Sequence, residues 1–223
     1  MLPPGRVDCI VLGGGGHAAV VIDALESSCP GCRLVVLDPD ESKKGGQVLD
    51  VPVLGGDELL PELIANGAER FVVGLGGTGD NRPRKRLFEK GVDAGLRPMT
   101  VIHAAAACSR WAQVGDGSVI MPGAVVNARA SLGVNVIVNS GAILEHDCRI
   151  GDHVHIATGA RLAASVLVGA CAHIGVGSVV RQGVVVGEGA VVGAGAAVVR
   201  NVPEETTVIG VPARPMEDQE RRV

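Results

Sequence analysis

The sequence predicts an α/β domain of the Rossmann type over residues 1–100, followed by a left-handed parallel β-helix over residues 101–223. Three observations support this. Strand-like apolar runs alternate with amphipathic stretches in the first hundred residues, and a six-residue repeat is uninterrupted from residue 114 to residue 203. Aromatic residues make up only 1% of the chain while 33 residues are glycine, which suits a thin, layered core of aliphatic side chains.

The first hundred residues contain the elements of a parallel sheet. Strands are predicted over residues 7–12, 34–37 and 71–75, and helices over residues 18–25, 59–65 and 84–90. Strands that alternate with helices indicate βαβ units, because a parallel connection needs a crossover.

The repeat places an aliphatic residue at every sixth position from Val114 to Val198. Four places after each comes a small or β-branched residue, from Ser118 to Val202. Three such hexads make one triangular coil, so residues 114–203 should form five coils, with a partial coil before them at Ile102 and Cys108. The aliphatic residues should stack into inner columns.

One hexad differs from the others because it carries three ionisable residues in a row; its sequence is Leu-Glu-His-Asp-Cys-Arg, at residues 144–149. His146 lies between two carboxylates, and Ala128 and Ala164, eighteen residues away, should stack on either side of it. A carboxylate that orients an imidazole is what a general base needs, and Asp147 can supply it. The alternative is a solvated histidine in a charged turn.

His155 lies nine residues after His146, which is half of one coil, so the two side chains should point to different sides of the prism. They can meet only across a boundary between chains, as in a closed ring of three prisms. His153 and His173 lack an adjacent-carboxylate arrangement of this kind and are predicted to be surface or stacking residues.

Two glycine-rich loops follow predicted strands. The first consists of Gly13, Gly14, Gly15, Gly16 and His17. Such a turn lets the N-terminus of a helix face a phosphate, and Asp38 at the end of the next strand could contact a ribose or base. The second loop spans residues 74–81 and leads to Arg82 and Arg84. Together the loops favour a nucleotide or sugar phosphate over purely structural turns.

Composition narrows the possible partners. A net charge of −4 gives no sequence-independent hold on nucleic acid. No apolar run reaches about 18 residues, and the start of the sequence lacks the pattern of a secretory signal, so we expect a cytoplasmic protein without a membrane span. Cys29 and Cys32 have the spacing of half a zinc site or a redox pair, but without a second metal-spaced pair a chance loop is favoured.

The order of these motifs resembles a known family, the bacterial sugar acyltransferases with an N-terminal Rossmann-like domain and a C-terminal left-handed β-helix. The likeness extends from the glycine loop through the His-Asp hexad to Gly-Val-Pro-Ala-Arg-Pro at residues 210–215. The family includes N-acetyltransferases of bacillosamine synthesis, GDP-perosamine N-acetyltransferases and sialic acid O-acetyltransferase relatives. The resemblance implies a homotrimer that uses acetyl-CoA and no metal, and acts on a UDP- or GDP-linked 4-amino-dideoxy sugar.

The resemblance also implies roles for particular residues. His146 would be the general base and Asp147 its orienting carboxylate, so that the sugar amine attacks the thioester directly and coenzyme A leaves. Asn139 would face the amino sugar, and His155 would approach the thioester carbonyl. The acetyl-CoA groove maps onto Ala164, Gly175, Val176 and Ala194. The nucleotide sugar would be held by residues 13–17, Asp38 and Asn81, although Gly77-Thr78-Gly79 is an insertion relative to the family pattern.

Three alternatives stay open at this point. One is O-acetylation of a sugar or sialic acid hydroxyl. The second is a zinc-dependent lyase on the same type of helix, with ligands among the histidines at 146, 153, 155 and 173, against which Asp147 and the N-terminal half argue. The third is a non-catalytic assembly scaffold.

Overall fold

A computed structural model gives the structure of residues 5–216. Residues 1–4 and 217–223 lie outside the described part of the chain, and residues 1–4 are the beginning of the segment in which a secretory signal would lie.

The N-terminal part contains a sheet of six strands and three helices. The strands are β1 (Cys9–Leu12), β2 (Leu34–Leu37), β3 (Gln47–Val48), β4 (Val51–Gly55), β5 (Arg70–Val73) and β6 (Arg97–Pro98). The helices are α1 (Gly16–Ser28), α2 (Leu60–Ala65) and α3 (Arg82–Asp93), with 3₁₀ turns at Glu41–Lys43 and Asp57–Leu59. The strand order is β3-β4-β2-β1-β5-β6, and all pairs are parallel except β3 with β4.

The three predicted strands and three predicted helices of this part are confirmed, with ends that differ by a few residues. The central strands β1 and β2 are buried along their whole length, as expected for parallel strands that are covered on both sides. The sequence did not predict β3, β4 and β6. Two of these are only two residues long, and β4 contains Pro52, which obscures a strand pattern.

The C-terminal part is a β-helix with three faces, and each face is a stack of strands from successive coils. The first face contains β7 (Val101–Ile102), β10 (Val119–Ile120), β13 (Ile137–Val138), β16 (His155–Ile156), β19 (His173–Ile174), β22 (Val191–Val192) and β24 (Thr207–Ile209), and ends with β25 (Arg214–Pro215). The second face contains β8 (Ala107–Cys108), β11 (Val125–Val126), β14 (Ile143–Leu144), β17 (Arg161–Leu162), β20 (Val179–Val180) and β23 (Ala197–Val198). The third face contains β9 (Gln113–Val114), β12 (Ser131–Leu132), β15 (Arg149–Ile150), β18 (Leu167–Val168) and β21 (Val185–Val186).

The register within each face confirms the predicted β-helix. Partners on neighbouring strands are eighteen residues apart, as in the pairs Ile120 with Val138 and Leu132 with Ile150. The predicted partial coil is present, since β7 and β8 pair with the coil that follows them. The aliphatic and small positions of the repeat form one continuous buried core. Each fully buried aliphatic side chain contributes roughly 1.5–3 kcal/mol before the entropy of ordering is subtracted.

The N-terminal part packs against the first face of the β-helix. Apolar residues of α1 share a buried cluster with Val119, Met121 and Ile137 of the first face and the turn that follows it. On α3, Phe88 lies edge-on to His153, with ring centroids 5.6 Å apart. The turns between the second and third faces, here called the 146 edge, comprise residues 127–130, 145–148 and 163–166 and lie on the opposite side of the prism.

No helix in the part of the chain that the structure describes has the length and apolar character needed to span a membrane.

Candidate active site

His146 and Asp147 form a hydrogen-bonded pair on the 146 edge. Nδ1 of His146 lies 2.6 Å from Oδ2 of Asp147. Because a carboxylate oxygen can only accept, Nδ1 carries the ring proton and Nε2 keeps its lone pair. The side chains are 52% and 36% exposed, respectively. The pair therefore offers an oriented imidazole with an accessible proton acceptor.

Arg129 is a third member of this group that the sequence analysis missed. Its Nε donates to Oδ1 of Asp147 at 2.6 Å, and its terminal nitrogen Nη2 donates to Oδ2 at 2.8 Å. Hydrogen bonds from Arg129 first, and from His146 second, hold the pKa of the Asp147 carboxyl far below its usual range. The sequence does indicate this contact, because Arg129 precedes Asp147 by eighteen residues and so lies beside it in the adjacent coil.

The other reactive side chains of this hexad do not form part of the hydrogen-bonded group. Glu145 contacts the backbone N–H of His146 at 3.4 Å. Cys148 points into the core, where its thiol donates to the carbonyl of Ala163 at 3.2 Å, and burial raises the pKa of this thiol. Cys148 is therefore a packed thiol and not a ready nucleophile.

His155 lies on the first face, beneath the second glycine loop, and is 6% exposed. Its Nδ1 donates to the carbonyl of Gly77 at 2.8 Å, and its Nε2 accepts from Nδ2 of Asn139 at 3.1 Å. Burial, and next the neighbouring His173, lower the pKa of His155 to about 3. Both ring nitrogens are therefore occupied within one chain, whereas Asn139 is only partly buried.

His153 and His173 are buried, and each packs edge-on against another ring. His173 stacks edge-on to His155 with centroids 5.0 Å apart, and His153 accepts a hydrogen bond from Asn135 at 3.0 Å. Of the two predictions made for these residues, stacking is correct and a surface position is wrong.

The two glycine loops lie against each other at the ends of β1 and β5. Gly13 has a φ of +95°, which favours glycine. A Cβ on Gly74 would lie 2.4 Å from the carbonyl oxygen of Gly13, so only glycine permits this approach. By contrast, Gly15 and Gly16 face open space, and no side chain caps the N-terminus of α1. Free N–H groups at a helix start are suited to bind an anion.

Two polar side chains support the first loop. The carboxylate of Asp38 accepts from the N–H of Gly14 at 2.6 Å and from Nζ of Lys43 at 2.8 Å, so a ribose would compete with these partners. His17 is mostly buried, and burial together with the charge of Arg84 lowers its pKa to about 4.

Asn81 and Arg84 attach the second loop and α3 to the β-helix. Asn81 is fully buried, and its Nδ2 donates to the carbonyls of Cys171 at 3.2 Å and Ala172 at 2.9 Å. Arg84 donates to the side chain and backbone of Asn135, and burial lowers its pKa to about 9. Asn81 therefore fixes the second loop to the β-helix, and its expected contact with a nucleotide sugar stays a prediction.

The residues expected to line the acetyl-CoA groove lie on two edges of the prism. Ala164 stacks on His146 along the 146 edge. Gly175, Val176 and Ala194 lie on the edge between the first and second faces, where Val176 is 55% exposed. One chain therefore presents these two sets on either side of its second face, and a shared groove needs a neighbouring surface.

Two further predictions concerned the cysteine pair and metal binding. Cys29 and Cys32, for which the sequence favoured a chance loop over half a zinc site or a redox pair, are joined in a disulfide at the end of α1. Within residues 5–216, no three histidine, cysteine, aspartate or glutamate side chains are grouped so that they could hold a metal ion.

Comparison with known proteins places the chain in a family. Residues 8–91 match the model of the PglD N-terminal domain. No curated protein matches the chain at a significant level. A perosamine N-acetyltransferase from Caulobacter crescentus, solved as a histidine variant in complex with CoA and GDP-perosamine, is 38% identical with a TM-score of 0.90, over 98% of this chain and 100% of that one.

Two further structures extend the comparison. The acetyltransferase domain of PglB from Neisseria gonorrhoeae is 35% identical with a TM-score of 0.86, over 95% of this chain and all of that one. WeeI from Acinetobacter baumannii AYE, at 24% identity and a TM-score of 0.83 over 94% of this chain and 99% of that one, shares the fold. The chain belongs to the nucleotide-sugar acetyltransferase family, and it is an acyltransferase.

Proposed function

We propose that the chain transfers an acetyl group from acetyl-CoA to the amino group of a nucleotide-linked 4-amino-dideoxy sugar. The observation that carries the proposal is the pair formed by His146 and Asp147, exposed on one edge of a β-helix with a free ring nitrogen. The relatives support the substrate class, since one is described in complex with CoA and GDP-perosamine and another with acetyl coenzyme A.

In the proposed reaction, His146 acts as the general base. Its Nε2 takes a proton from the sugar amine while the amine nitrogen forms a bond to the thioester carbonyl carbon. Asp147 fixes the tautomer and stabilises the imidazolium that forms. The carbon–sulfur bond then breaks, and coenzyme A leaves as a thiolate. An amine held next to the thioester needs no covalent acyl-enzyme, which agrees with the buried position of Cys148.

The arrangement of the chain supports an active site shared between neighbours in a homotrimer. The glycine loops contact the first face of the β-helix, whereas His146 lies on the opposite edge. A nucleotide sugar bound to the loops of one chain would therefore meet the His146 of another. In this cleft Asn139 is the polar group that the amino sugar can reach, and the buried His155 holds the amide of Asn139 in place.

The two ligands are assigned to different surfaces. The N-terminal part, residues 1–100, would be a Rossmann-like domain that holds the nucleotide sugar at residues 13–17, with its diphosphate at the open N-terminus of α1. Acetyl-CoA would lie between two prisms, along the backbone of Ala164 from one edge and of Gly175, Val176 and Ala194 from the other. Asp38 would support the loop that carries the diphosphate.

The test is acetyl transfer by the full chain to a panel of UDP-, GDP- and dTDP-linked amino sugars and matched hydroxyl sugars. We expect an acetylated amine, recognised by mass spectrometry as an amide that hydroxylamine does not cleave. His146→Ala should lower kcat at least about a hundredfold, since a general base contributes about 10²–10⁴-fold. Acetylation of a hydroxyl alone would contradict the N-acetyl assignment, and an unchanged rate in the variant would contradict the base.

A further inference from the structure

The pair on the 146 edge is held from the adjacent coil by a forked arginine. Both nitrogens of Arg129 that face Asp147 form hydrogen bonds, one to each carboxylate oxygen, at 2.6 and 2.8 Å. The oxygen Oδ2 is shared, because it also accepts from Nδ1 of His146 at 2.6 Å. A bidentate guanidinium fixes the plane of a carboxylate, which a single contact does not. The carboxylate orientation that serves His146 is thus set by Arg129.

The β-helix places Arg129 and Asp147 next to each other. Arg129 and Asp147 occupy equivalent turn positions in successive coils, and each has a φ of +62°. Their backbones therefore direct the two side chains the same way, one coil apart. The N–H of Arg129 bonds to the carbonyl of Trp111 at 3.1 Å, in the coil before it, so the turn that carries the arginine is itself fixed.

We propose that Arg129 is a positioning residue for the proposed base: it orients the Asp147 carboxylate, and through that carboxylate it holds the His146 ring with Nε2 free to accept a proton. The proposal rests on the proposed function only for the role of His146 as base. Arg129 does not touch the reacting atoms in this scheme, and it acts through Asp147.

The test is the tautomer of the His146 ring in the full chain without substrate, read from its ring nitrogen NMR shifts at alkaline pH, with the signal assigned by its loss in His146→Ala. The unaltered protein should show a protonated Nδ1 and an unprotonated Nε2, because Oδ2 of Asp147 accepts from Nδ1. Arg129→Gln and Arg129→Lys both lose the fork and should show a mixture of the two tautomers. Arg97→Gln, which removes an exposed arginine paired with Glu69 in the N-terminal part, is the matched control and should keep the single tautomer.

A single tautomer, unchanged in both Arg129 variants, would overturn the proposal. Steady-state kinetics give the second readout. At the pH optimum, kcat should fall about fivefold in both variants because neither keeps the fork, with KM unchanged. If the tautomers mix in the variants while no amino sugar is acetylated, the positioning role stands and the proposed function fails.

Discussion

The buried His155 makes the stability of this protein depend on pH in a predictable way. Its pKa is about 3 in the folded chain, mainly because of burial, against about 6.5 for an unfolded histidine. Above pH 6.5 the ring is neutral in both states. Below pH 6.5 the unfolded chain binds a proton at this ring and the folded chain does not. The free energy of unfolding therefore decreases by about 1.4 kcal/mol for each unit by which the pH is lowered. Between pH 7 and pH 4.5 this histidine alone should remove about 3 kcal/mol.

The perturbation that isolates this effect is His155→Asn. Asparagine has no titrating ring, and its amide can still donate to the carbonyl of Gly77. Urea unfolding at fixed protein concentration, at pH 7 and at pH 4.5, gives four free energies. The unaltered protein should lose about 3 kcal/mol more than the variant between the two pH values, because other buried histidines such as His17 contribute equally to both. Equal losses would refute the reasoning.

Two further predictions concern the core and the site. Leu132→Ala should lower the free energy of unfolding by about 2–5 kcal/mol because it leaves a cavity in the inner column. The control is Leu167→Ala: the Leu167 side chain is 39% exposed on the third face, so its loss should change the free energy of unfolding by less than about 1 kcal/mol. Denaturant titration measures both changes. Asp147→Asn should lower kcat at least about tenfold because the amide cannot stabilise the imidazolium. Glu145→Gln, in which the altered side chain contacts the backbone of His146, should keep kcat within about twofold. A larger loss in Glu145→Gln than in Asp147→Asn would show that Glu145 is the orienting carboxylate.

The β-helix could be predicted from the sequence because its contacts are periodic. Each residue contacts the residues eighteen places before and after it, so the repeat in the sequence also gives the long-range contacts of the fold. This rule predicted the buried column that contains Leu132 and placed Ala164 beside His146. Applied to Asp147 as well, it would also have located Arg129.

The N-terminal loops were less predictable because their contacts follow no period. Asp38 and Asn81 were polar residues at the ends of strands, which is where ligands often bind. The structure shows that each already has partners within the chain: Asp38 holds the first loop, and Asn81 reaches the β-helix about ninety residues further along the sequence. Only the packing of the two parts against each other determines such contacts. The same packing buries His155, which its spacing from His146 alone could not reveal.

The eighteen-residue coil constrains how the chain can change in length. Removal of one hexad would leave every inner aliphatic residue in a column, yet it would rotate all later residues by one face, about a third of a turn. His146 would then leave its edge, although the fold would be preserved. Removal of a whole coil keeps the faces and only shortens the stack, by about one strand spacing of 4.8 Å. Length variation between Asn139 and His146 is therefore incompatible with the proposed shared cleft, whereas loss of a whole coil at the C-terminal end would leave both of these residues on their edges.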